Sequence, residues 1–263
     1  MKFKEEVKMS KKICVSVGHG KSKTGGFDPG ACYEGRREFN IAKEIAKYLA
    51  EYLRTAGFEV SLINCGADLY LTERIEKINA GNFDLAVEIH LNAGGGTGSE
   101  VYYPSGSENG RKAAGLISAY ISEAFGIPDR GAKIKTGVLG NDYFAVVREA
   151  KPLTLLVETV FIDSPDVKNV ATAAGRDRCA KAVSEAISAY FAAKPSAPFR
   201  IKVACDELNV RSGPGSGHKI NMTVKKGGVY TVVEKSGGWG RLKSGAGWIY
   251  LGGGLVEKAE NRV

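Results

Sequence analysis

The feature that most constrains this fold is an alternation of short apolar segments with longer amphipathic ones, which continues to residue 193 and then stops. ICVSVG (13–18) and LTLLVETVF (153–161) are typical of buried strands, and segment 36–56 repeats apolar residues at helical spacings before Gly57 ends it. The other predicted strands are 58–63, 84–91 and 101–104, and the other predicted helices are 71–81, 108–125 and 174–193. This alternation predicts an α/β fold with a twisted, mostly parallel sheet flanked by helices.

A change of pattern divides the chain. KPSAP (194–198) predicts a short linker, and beyond it the sequence has many glycines, no helical period and short runs such as VYTVVEKSGGWGRL. Such runs indicate the hairpins of a small β-barrel. The predicted organisation is therefore a basic N-terminal tail (1–12), an α/β domain (13–193), the linker, and a small all-β barrel (199–263).

Charge and apolar content exclude several classes of protein. The net charge of +8 would attract polyanions in general, but no nucleic-acid-binding motif is present, so we expect no nucleic-acid partner. No apolar run approaches the ~18 residues of a membrane span, so we expect no membrane insertion. The opening MKFKEEVKMSKK lacks the apolar core of a secretory signal, which predicts synthesis in the cytoplasm without a signal peptide. The five cysteines form no Cys-x-x-Cys, which fits a reducing compartment.

Four ionisable side chains stand where α/β sheets bind ligands. His19 follows the first predicted strand, and His90 and Glu158 lie near the ends of two later strands. Glu38 begins the helix that follows the His19 loop, and Ile41 places it on the inward side of that helix. Because ligands in such folds bind outside the carboxyl ends of the strands, we expect these side chains to lie close together.

This group of side chains is typical of a hydrolytic zinc site. Two imidazoles and a carboxylate are a common ligand set, which leaves a fourth position for water. One zinc ion at His19, Glu38 and His90 would lower the pKa of that water from ~15.7 towards ~7 and polarise a carbonyl group. Glu158 would then accept the proton of the water and later donate it.

Each residue also has a structural interpretation, which the sequence leaves open. A strand-end histidine is often a hydrogen-bonded structural residue, and Glu38 can stabilise the first turn of its helix. Glu88 lies two residues before His90 on the same face of the strand, so it is an alternative ligand or a support for His90. Glu158 can also form a buried ion pair with Arg148.

Residues of about 12–193 resemble the zinc-dependent N-acetylmuramoyl-L-alanine amidases of family 3, which occur in bacterial autolysins and phage endolysins. The segments that carry this resemblance are VSVGHG, DPGA (28–31), EFNIAKEIAKYLAEYLRTAGFEV, DLAVEIHLNA and AVVREAKPLTLLVETVFIDSPDV. The resemblance implies a mixed sheet with flanking helices. The positions that match the zinc ligands of the family are His19, Glu38 and His90, and the catalytic glutamate matches Glu158.

The sequence departs from the family pattern at two places. Ala42 stands where the family usually has Asn, and LINCGAD replaces a common threonine-arginine pair. Counting back from AGFEV across an ungapped helix favours Glu38 as the ligand, with Glu34 as the second choice. Asn92 and Arg148 match positions near the cleft of the family, and the resemblance therefore implies that they contact the substrate.

Residues of about 199–256 resemble a bacterial SH3-like domain through LNVRSGPGSGHKI, VYTVVEKSGGWGRL and AGWIYL. Such domains usually recognise a peptide or cross-bridge of the cell wall. We expect about half of the aromatic side chains here to be core and the others to line a binding groove. The candidates for that groove are Tyr230, Trp239, Trp248 and Tyr250.

These interpretations predict an enzyme that hydrolyses the amide between N-acetylmuramic acid and L-alanine in peptidoglycan. The partner of both domains would be peptidoglycan, with its glycan-linked stem peptide at the zinc site and wall peptide at the SH3-like domain. The chain would be made in the bacterial cytoplasm and act at the cell wall. Two alternatives stay open: a zinc peptidase that cuts the stem or cross-bridge, and a catalytically inactive wall-binding protein.

Overall fold

Six strands form the sheet of the first compact unit, which ends at Ala192. The structure is a computed structural model that describes residues 10–192, 198–236 and 238–259. The strands are β1 (Lys12–Val17), β2 (Glu59–Ile63), β3 (Leu85–Asn92), β4 (Ser99–Tyr102), β5 (Asp129–Lys133) and β6 (Thr154–Phe161). Their order is β2-β1-β3-β6-β4-β5, in which the first four are parallel and β4 runs antiparallel to β6. The predicted mostly parallel sheet is confirmed.

Helices cover the two faces of this sheet unequally. The helices are α1 (Glu38–Thr55), α2 (Leu71–Ala80), α3 (Glu108–Phe125), α4 (Ala145–Glu149) and α5 (Ala173–Ala192), with a 3-10 turn at Pro165–Asn169. Side chains alternate across a strand, so Val15, Val87 and Val157 pack with α1, α3 and α5 in the larger core. Cys14 and Leu156 point to the other face and pack with α2 and the short α4. That thinner layer leaves room for a cleft.

The first helix forms for the reason that its sequence suggests. Ile41, Ile45, Leu49 and Leu53 recur at a spacing of four residues, and all four are buried. Burying such side chains contributes about 1.5–3 kcal/mol each relative to exposure. The chain leaves the helix at Gly57, whose φ of 91° suits glycine because it has no Cβ.

Several boundaries and elements differ from the prediction. The helix predicted over 36–56 spans Glu38–Thr55, and the strand predicted over 101–104 spans Ser99–Tyr102. The prediction missed β5 and α4 entirely. The sequence of β5, DRGAK, has no apolar alternation because this edge strand is half-buried or exposed along its length. With five residues, α4 is too short to show a helical period.

The second unit is an antiparallel sheet of seven strands. They are β7 (Phe199–Val203), β8 (Glu207–Arg211), β9 (Ile220–Lys225), β10 (Val229–Ser236), β11 (Trp239–Leu242), β12 (Trp248–Tyr250) and β13 (Val256–Lys258). Their order is β9-β8-β12-β11-β10-β7-β13. Val203, Val210, Val232 and Ile249 are fully buried in its core. The predicted small all-β fold is confirmed for this part of the chain.

The two units divide between Ala192 and Ala193. The linker predicted at 194–198 lies outside the described residues except for its last position, and so do residues 1–9 of the predicted tail. Lys12, the last residue of that predicted tail, begins β1. Within the described ranges, no helix combines the length and apolarity that crossing a bilayer requires.

Candidate metal centre

Three side chains from distant parts of the sequence meet at the carboxyl end of the parallel strands. His19 follows β1, His90 lies in β3, and Glu38 is the first residue of α1. One potential ligand atom of each residue lies within 4.8 Å of those of the other two. His19 Nε2 is 3.3 Å from Glu38 Oε2, and His90 Nδ1 is 2.9 Å from Glu38 Oε1. The structure thus brings together the three side chains that the sequence suggested as ligands.

The DPGA loop holds Glu38 at the start of α1. The backbone N–H groups of Glu38 and Phe39 have no partner inside the helix, and they donate to the carbonyls of Ala31 and Pro29 at 2.9 and 3.0 Å. In return, the N–H of Ala31 donates to Glu38 Oε2 at 2.8 Å. A Cβ at Gly30 would lie 2.6 Å from that oxygen, so this position requires glycine. The carboxylate is therefore fixed by the loop that precedes it.

His19 sits in a backbone conformation that its neighbours enforce. Its φ of 63° is left-handed, which costs a non-glycine residue about 1–3 kcal/mol. Its carbonyl oxygen accepts from Asn64 Nδ2 at 2.7 Å and from Arg74 Nη1 at 3.0 Å. Its ring nitrogen Nδ1 lies 2.9 Å from Asp28 Oδ2. These bonds direct Nε2 towards Glu38.

His90 is confined on one ring face and at its outer edge. A Cβ added to Gly18 would lie 2.1 Å from Cε1 of His90, so the ring lies directly against the glycine backbone. At the edge, Nε2 of His90 lies 3.0 Å from Glu88 Oε1. The other oxygen of Glu88 accepts from Ser16 Oγ at 2.9 Å and from Arg74 Nε at 3.2 Å. Glu88 is 1% exposed, so these bonds form in a dry environment.

The charges of this group are strongly coupled. Burial opposes ionisation of Glu38, but the two histidines outweigh it and hold the pKa of Glu38 well below its usual range. Burial also disfavours a charged His90, yet Glu38 and Glu88 raise the pKa of His90 to about 10. The pKa of His19 is raised as well, because its bonds to Glu38 and Asp28 overcome burial. Two imidazoles around a carboxylate suit a divalent cation, which would take the place of protons.

Glu158 lies in the same row of the sheet as His90. The register pairs Glu158 of β6 with His90 of β3 on one side and with Glu100 of β4 on the other. Glu158 is buried, and its Oε2 has no hydrogen-bond partner among the described residues. Burial, with smaller contributions from Glu38 and Glu100, raises the pKa of Glu158 to about 7. A carboxyl group near this pKa can accept and donate a proton at neutral pH.

A cleft of about 480 Å³ opens over these groups. Asn92, at the end of β3, contributes to its lining. The Nδ2 of Asn92 donates to Glu100 Oε1 at 2.8 Å, and Glu100 is held in turn by Arg130 Nε at 2.6 Å and by the hydroxyl of Tyr102 at 2.8 Å. Other lining residues include Lys21, Tyr70, Leu71, Phe144, Val146 and Leu156.

Two residues that the sequence brought forward lie elsewhere. Glu34, the second choice as ligand, is exposed and pairs with Arg36 at 2.9 Å. Arg148 is not among the described residues that line the cleft. Its guanidinium donates to the carbonyls of Asp142 and Tyr143 at 2.7 and 3.1 Å, and its ion pair is with neighbouring Glu149 rather than with Glu158.

The aromatic candidates of the second unit divide between core and surface. Trp248 is 8% exposed, and Tyr230 is partly buried against the hydrophobic core. Tyr250 is 37% exposed, and its ring centroid lies 5.3 Å from that of half-buried Trp239. Trp239 and Tyr250 face each other in register on β11 and β12, so they form one aromatic pair on the sheet.

Sequence reasoning suggested Glu88 as a support for His90 but missed the other supporting residues of the centre. In the sequence, Asp28 stands out only as part of DPGA, and nothing there indicates its contact with His19 or the bonds of Arg74 and Ser16 to Glu88. A signal was present, because Ser16 and Glu88 are polar residues within mostly apolar strands and become register partners when β1 and β3 pair. The pairing of β1 with β3 cannot be determined from one sequence. Only that pairing shows that Ser16 and Glu88 form a hydrogen bond with each other.

The sheet, its cleft and the three convergent ligands define an α/β domain with a candidate metal centre, joined to a small β domain. Comparison with known families shows which domains these are. The family profile described as N-acetylmuramoyl-L-alanine amidase matches residues 13–189, and the bacterial SH3 domain profile matches residues 204–252. The chain belongs to the N-acetylmuramoyl-L-alanine amidase family.

Relatives with several different names are similar to this chain. The sporulation-specific N-acetylmuramoyl-L-alanine amidase of Bacillus subtilis is 34% identical over 157 residues, which cover 58% of this chain and 57% of that protein. The endolysin of Bacillus phage SPP1 is 32% identical over 168 residues, 60% of this chain and 57% of the endolysin. The crystal structure of N-acetylmuramoyl-L-alanine amidase from Clostridium difficile 630 matches with a TM-score of 0.60 and 25% identity, covering 70% of this chain and 98% of that one. The chain thus spans little more than half of the two sequence relatives.

Proposed function

We propose that this protein hydrolyses the amide between the lactyl group of N-acetylmuramic acid and L-alanine in peptidoglycan, with one zinc ion held by His19, Glu38 and His90. The observation that carries the proposal is the convergence of these ligand atoms within 4.8 Å beside a buried carboxylate, Glu158, whose Oε2 lacks a partner in the described structure. Family membership and the names of the relatives support the choice of substrate.

The donor set fits zinc. Imidazole nitrogen and carboxylate oxygen are ordinary zinc ligands, and each imidazole has a carboxylate on its second nitrogen, as metal-bound histidines usually do. When bound, zinc supplies a water of lowered pKa and polarises the carbonyl group of the substrate.

The chain itself moves the proton and orients the substrate. Glu158 accepts a proton from the attacking water at its carboxylate and delivers it to the departing amine of L-alanine. Asn92 can keep its bond to Glu100 and still donate its second amide hydrogen to a substrate carbonyl. The thin α2 and α4 layer leaves the cleft open to a polymeric substrate.

The second unit would hold the enzyme on the wall. Its bacterial SH3 profile and the aromatic pair of Trp239 and Tyr250 support binding to wall peptide. Tethering raises the local concentration of the catalytic cleft near the next bond, so weak binding suffices. We place the site of action at the bacterial cell wall, following the descriptions of the relatives.

The test is digestion of purified Gram-positive peptidoglycan, with products identified by mass. We expect free stem peptides that begin with alanine and intact glycan strands, with release abolished by a chelator and restored by zinc. Stems cut internally, with muramic acid still acylated, would instead show a zinc peptidase. Sedimentation with walls and no release would show a binding protein.

The histidines offer a matched pair of variants, since the chain has three. His19→Gln should abolish both zinc uptake and release, because it removes a ligand from the centre. His218→Gln, in the second unit, should change neither. Equal loss in both variants would contradict the assignment of the centre.

A further inference from the structure

Both histidines of the centre lie between two carboxylates, but they face the shared carboxylate of Glu38 with different ring nitrogens. His90 Nδ1 faces Glu38 at 2.9 Å, and its Nε2 faces Glu88 at 3.0 Å. His19 Nδ1 faces Asp28 at 2.9 Å, and its Nε2 faces Glu38 at 3.3 Å. An ionised carboxylate can only accept a hydrogen bond, so Asp28 and Glu88 each call for an N–H on the nitrogen that they face.

We propose that Glu88 is a positioning residue of the metal centre: it accepts the Nε2–H of His90 and leaves Nδ1 as the ligand nitrogen, whereas Asp28 leaves Nε2 as the ligand nitrogen of His19. This inference rests on the proposed function, because it requires zinc at the three ligands. The two histidines then bind the same ion through different nitrogens. Hydrogen bonds of this kind fix the tautomer of a ligand and increase its basicity.

Glu88 is anchored as a support and not as a ligand. Its Oε2 is occupied by Ser16 Oγ and Arg74 Nε, at 2.9 and 3.2 Å, and its Oε1 faces Nε2 of His90, the nitrogen remote from Glu38. The group of close ligand atoms found in the described residues does not include Glu88. Arg74 also donates to the carbonyl of His19, so one cation ties the support of one ligand to the backbone of the other.

The ring of His90 has one productive orientation. A half-turn about its Cβ–Cγ bond would place Cδ2 against Glu38 and Cε1 against Glu88, and both hydrogen bonds would be lost. A Cβ added to Gly18 would lie 2.1 Å from Cε1 of the ring, so the backbone of Gly18 limits tilting of the ring towards β1. Glu88 is two residues from His90 on the same strand face, so the support and the ligand move together with β3.

Nitrogen NMR of the zinc-loaded full chain, labelled with ¹⁵N at histidine, tests the proposal directly. Three histidines give three ring systems, and the His218→Gln variant assigns one of them. We expect His90 to carry its proton on Nε2 and His19 on Nδ1. His90 bound through Nε2 with Nδ1 protonated would overturn the proposal, as would a chain that takes up no zinc.

Zinc affinity in Glu88→Gln supplies a second measurement. The oxygen of the new amide must face Arg74, because that guanidinium only donates, and the NH₂ group then faces Nε2 of His90 and favours the wrong tautomer. We expect zinc affinity, measured by competition with a chelating dye, to fall about 10–100-fold. Affinity equal to that of the unmodified chain would contradict the role of Glu88.

Asp166→Asn is the matched control. Asp166 is also a buried acid of the same unit, and it accepts from the N–H of Gly98 at 2.7 Å, away from the cleft lining. This variant should bind zinc like the unmodified chain. If Glu88→Gln fails to fold, the NMR measurement on the unmodified chain still decides. Neither readout uses peptidoglycan, so expected tautomers without release of stem peptide would overturn the proposed function alone.

Discussion

At the scale of the residue, the buried carboxylate of Glu158 lowers the stability of the fold at a position where the proposed reaction needs a proton acceptor. It is 9% exposed, and its Oε2 has no partner among the described residues, so its ionised form is poorly solvated. An amide of the same shape would avoid that cost. In the proposed mechanism, its position in the row of His90 lets the acid accept a proton, which an amide cannot do.

Glu158→Gln should therefore separate catalysis from binding. We expect release of stem peptides to fall by about 10²–10⁴-fold, the usual loss when a general acid-base is removed. Zinc content and sedimentation with walls should persist, because this substitution keeps the shape of the side chain. Glu149→Gln is the control, since Glu149 is exposed and its side chain pairs with the guanidinium of Arg148, away from the cleft lining. Full activity in Glu158→Gln would remove Glu158 from the mechanism.

The same substitution should stabilise the metal-free chain in a pH-dependent way. Burial raises the pKa of Glu158 to about 7 from 4.5, so the folded state holds this proton more tightly than the unfolded state does. Wild-type stability is then lost as pH rises from 4.5 to 7, and the advantage of Gln grows over that range to about 3 kcal/mol. Urea unfolding of both proteins in chelator at pH 4.5 and pH 8 measures it. An equal difference at both pH values would contradict the shift.

At the scale of the element, the contact between β1 and β3 determines how closely the centre is packed. Gly18 follows β1 and lies against the ring of His90, where an added Cβ would be 2.1 Å from Cε1. Neither the strand backbone nor the ring can move far, because β1 pairs with β3 up to Val17 and Ile89. The absence of a side chain at Gly18 is therefore a requirement of the site.

Gly18→Ala should lower both stability and zinc affinity, because the ring of His90 must shift. Inserting a group into such a packed region costs about 1–3 kcal/mol, and the displaced ring leaves both of its carboxylates. Gly115→Ala is the control: it lies within α3 with open space around its added Cβ, so it should gain about 0.5–1 kcal/mol. Chemical unfolding and dye competition measure both effects. Unchanged zinc binding in Gly18→Ala would contradict this account of the contact.

Elements with strong periodicity could be predicted from the sequence, and those that depend on partners could not. α1 was predicted within two residues at its start because Ile41, Ile45, Leu49 and Leu53 share one face. β5 was missed because an edge strand gains its structure from pairing with β4, and DRGAK carries no apolar pattern of its own. The antiparallel direction of β4 was not predicted either, since direction depends on which strands become neighbours.

The candidate site likewise contains residues that the sequence suggests and residues whose contacts depend on the folded structure. His19, His90 and Glu158 could be found because a polar residue at the end of an apolar strand is conspicuous. The supports of His19 could not, because Asp28 and Arg74 become partners of His19 only after the loop and α2 have folded around it. The substrate contact that the resemblance implies for Arg148 stays a prediction, and the fold directs its guanidinium to the carbonyls of Asp142 and Tyr143.

At the scale of the whole molecule, the proposed hydrolysis and the proposed wall binding belong to separate units. The ligand residues and Glu158 all belong to the first unit, and the aromatic pair of Trp239 and Tyr250 belongs to the second. The units have separate hydrophobic cores, so a surface change in one need not alter the chemistry of the other. This separation makes wall retention testable without loss of the catalytic cleft.

Tyr250→Ala should weaken retention on walls and leave hydrolysis of a small soluble muropeptide unchanged. Removing one aromatic anchor costs about 1–2 kcal/mol, which corresponds to about 5- to 30-fold weaker binding. Met222→Ala is the control, because Met222 is 47% exposed on β9, separated from β12 by β8. Sedimentation with purified walls measures retention, and peptide release from the muropeptide measures catalysis. Because the aromatic pair serves only binding in this account, a parallel fall of both quantities, or equal retention in Tyr250→Ala and Met222→Ala, would contradict it.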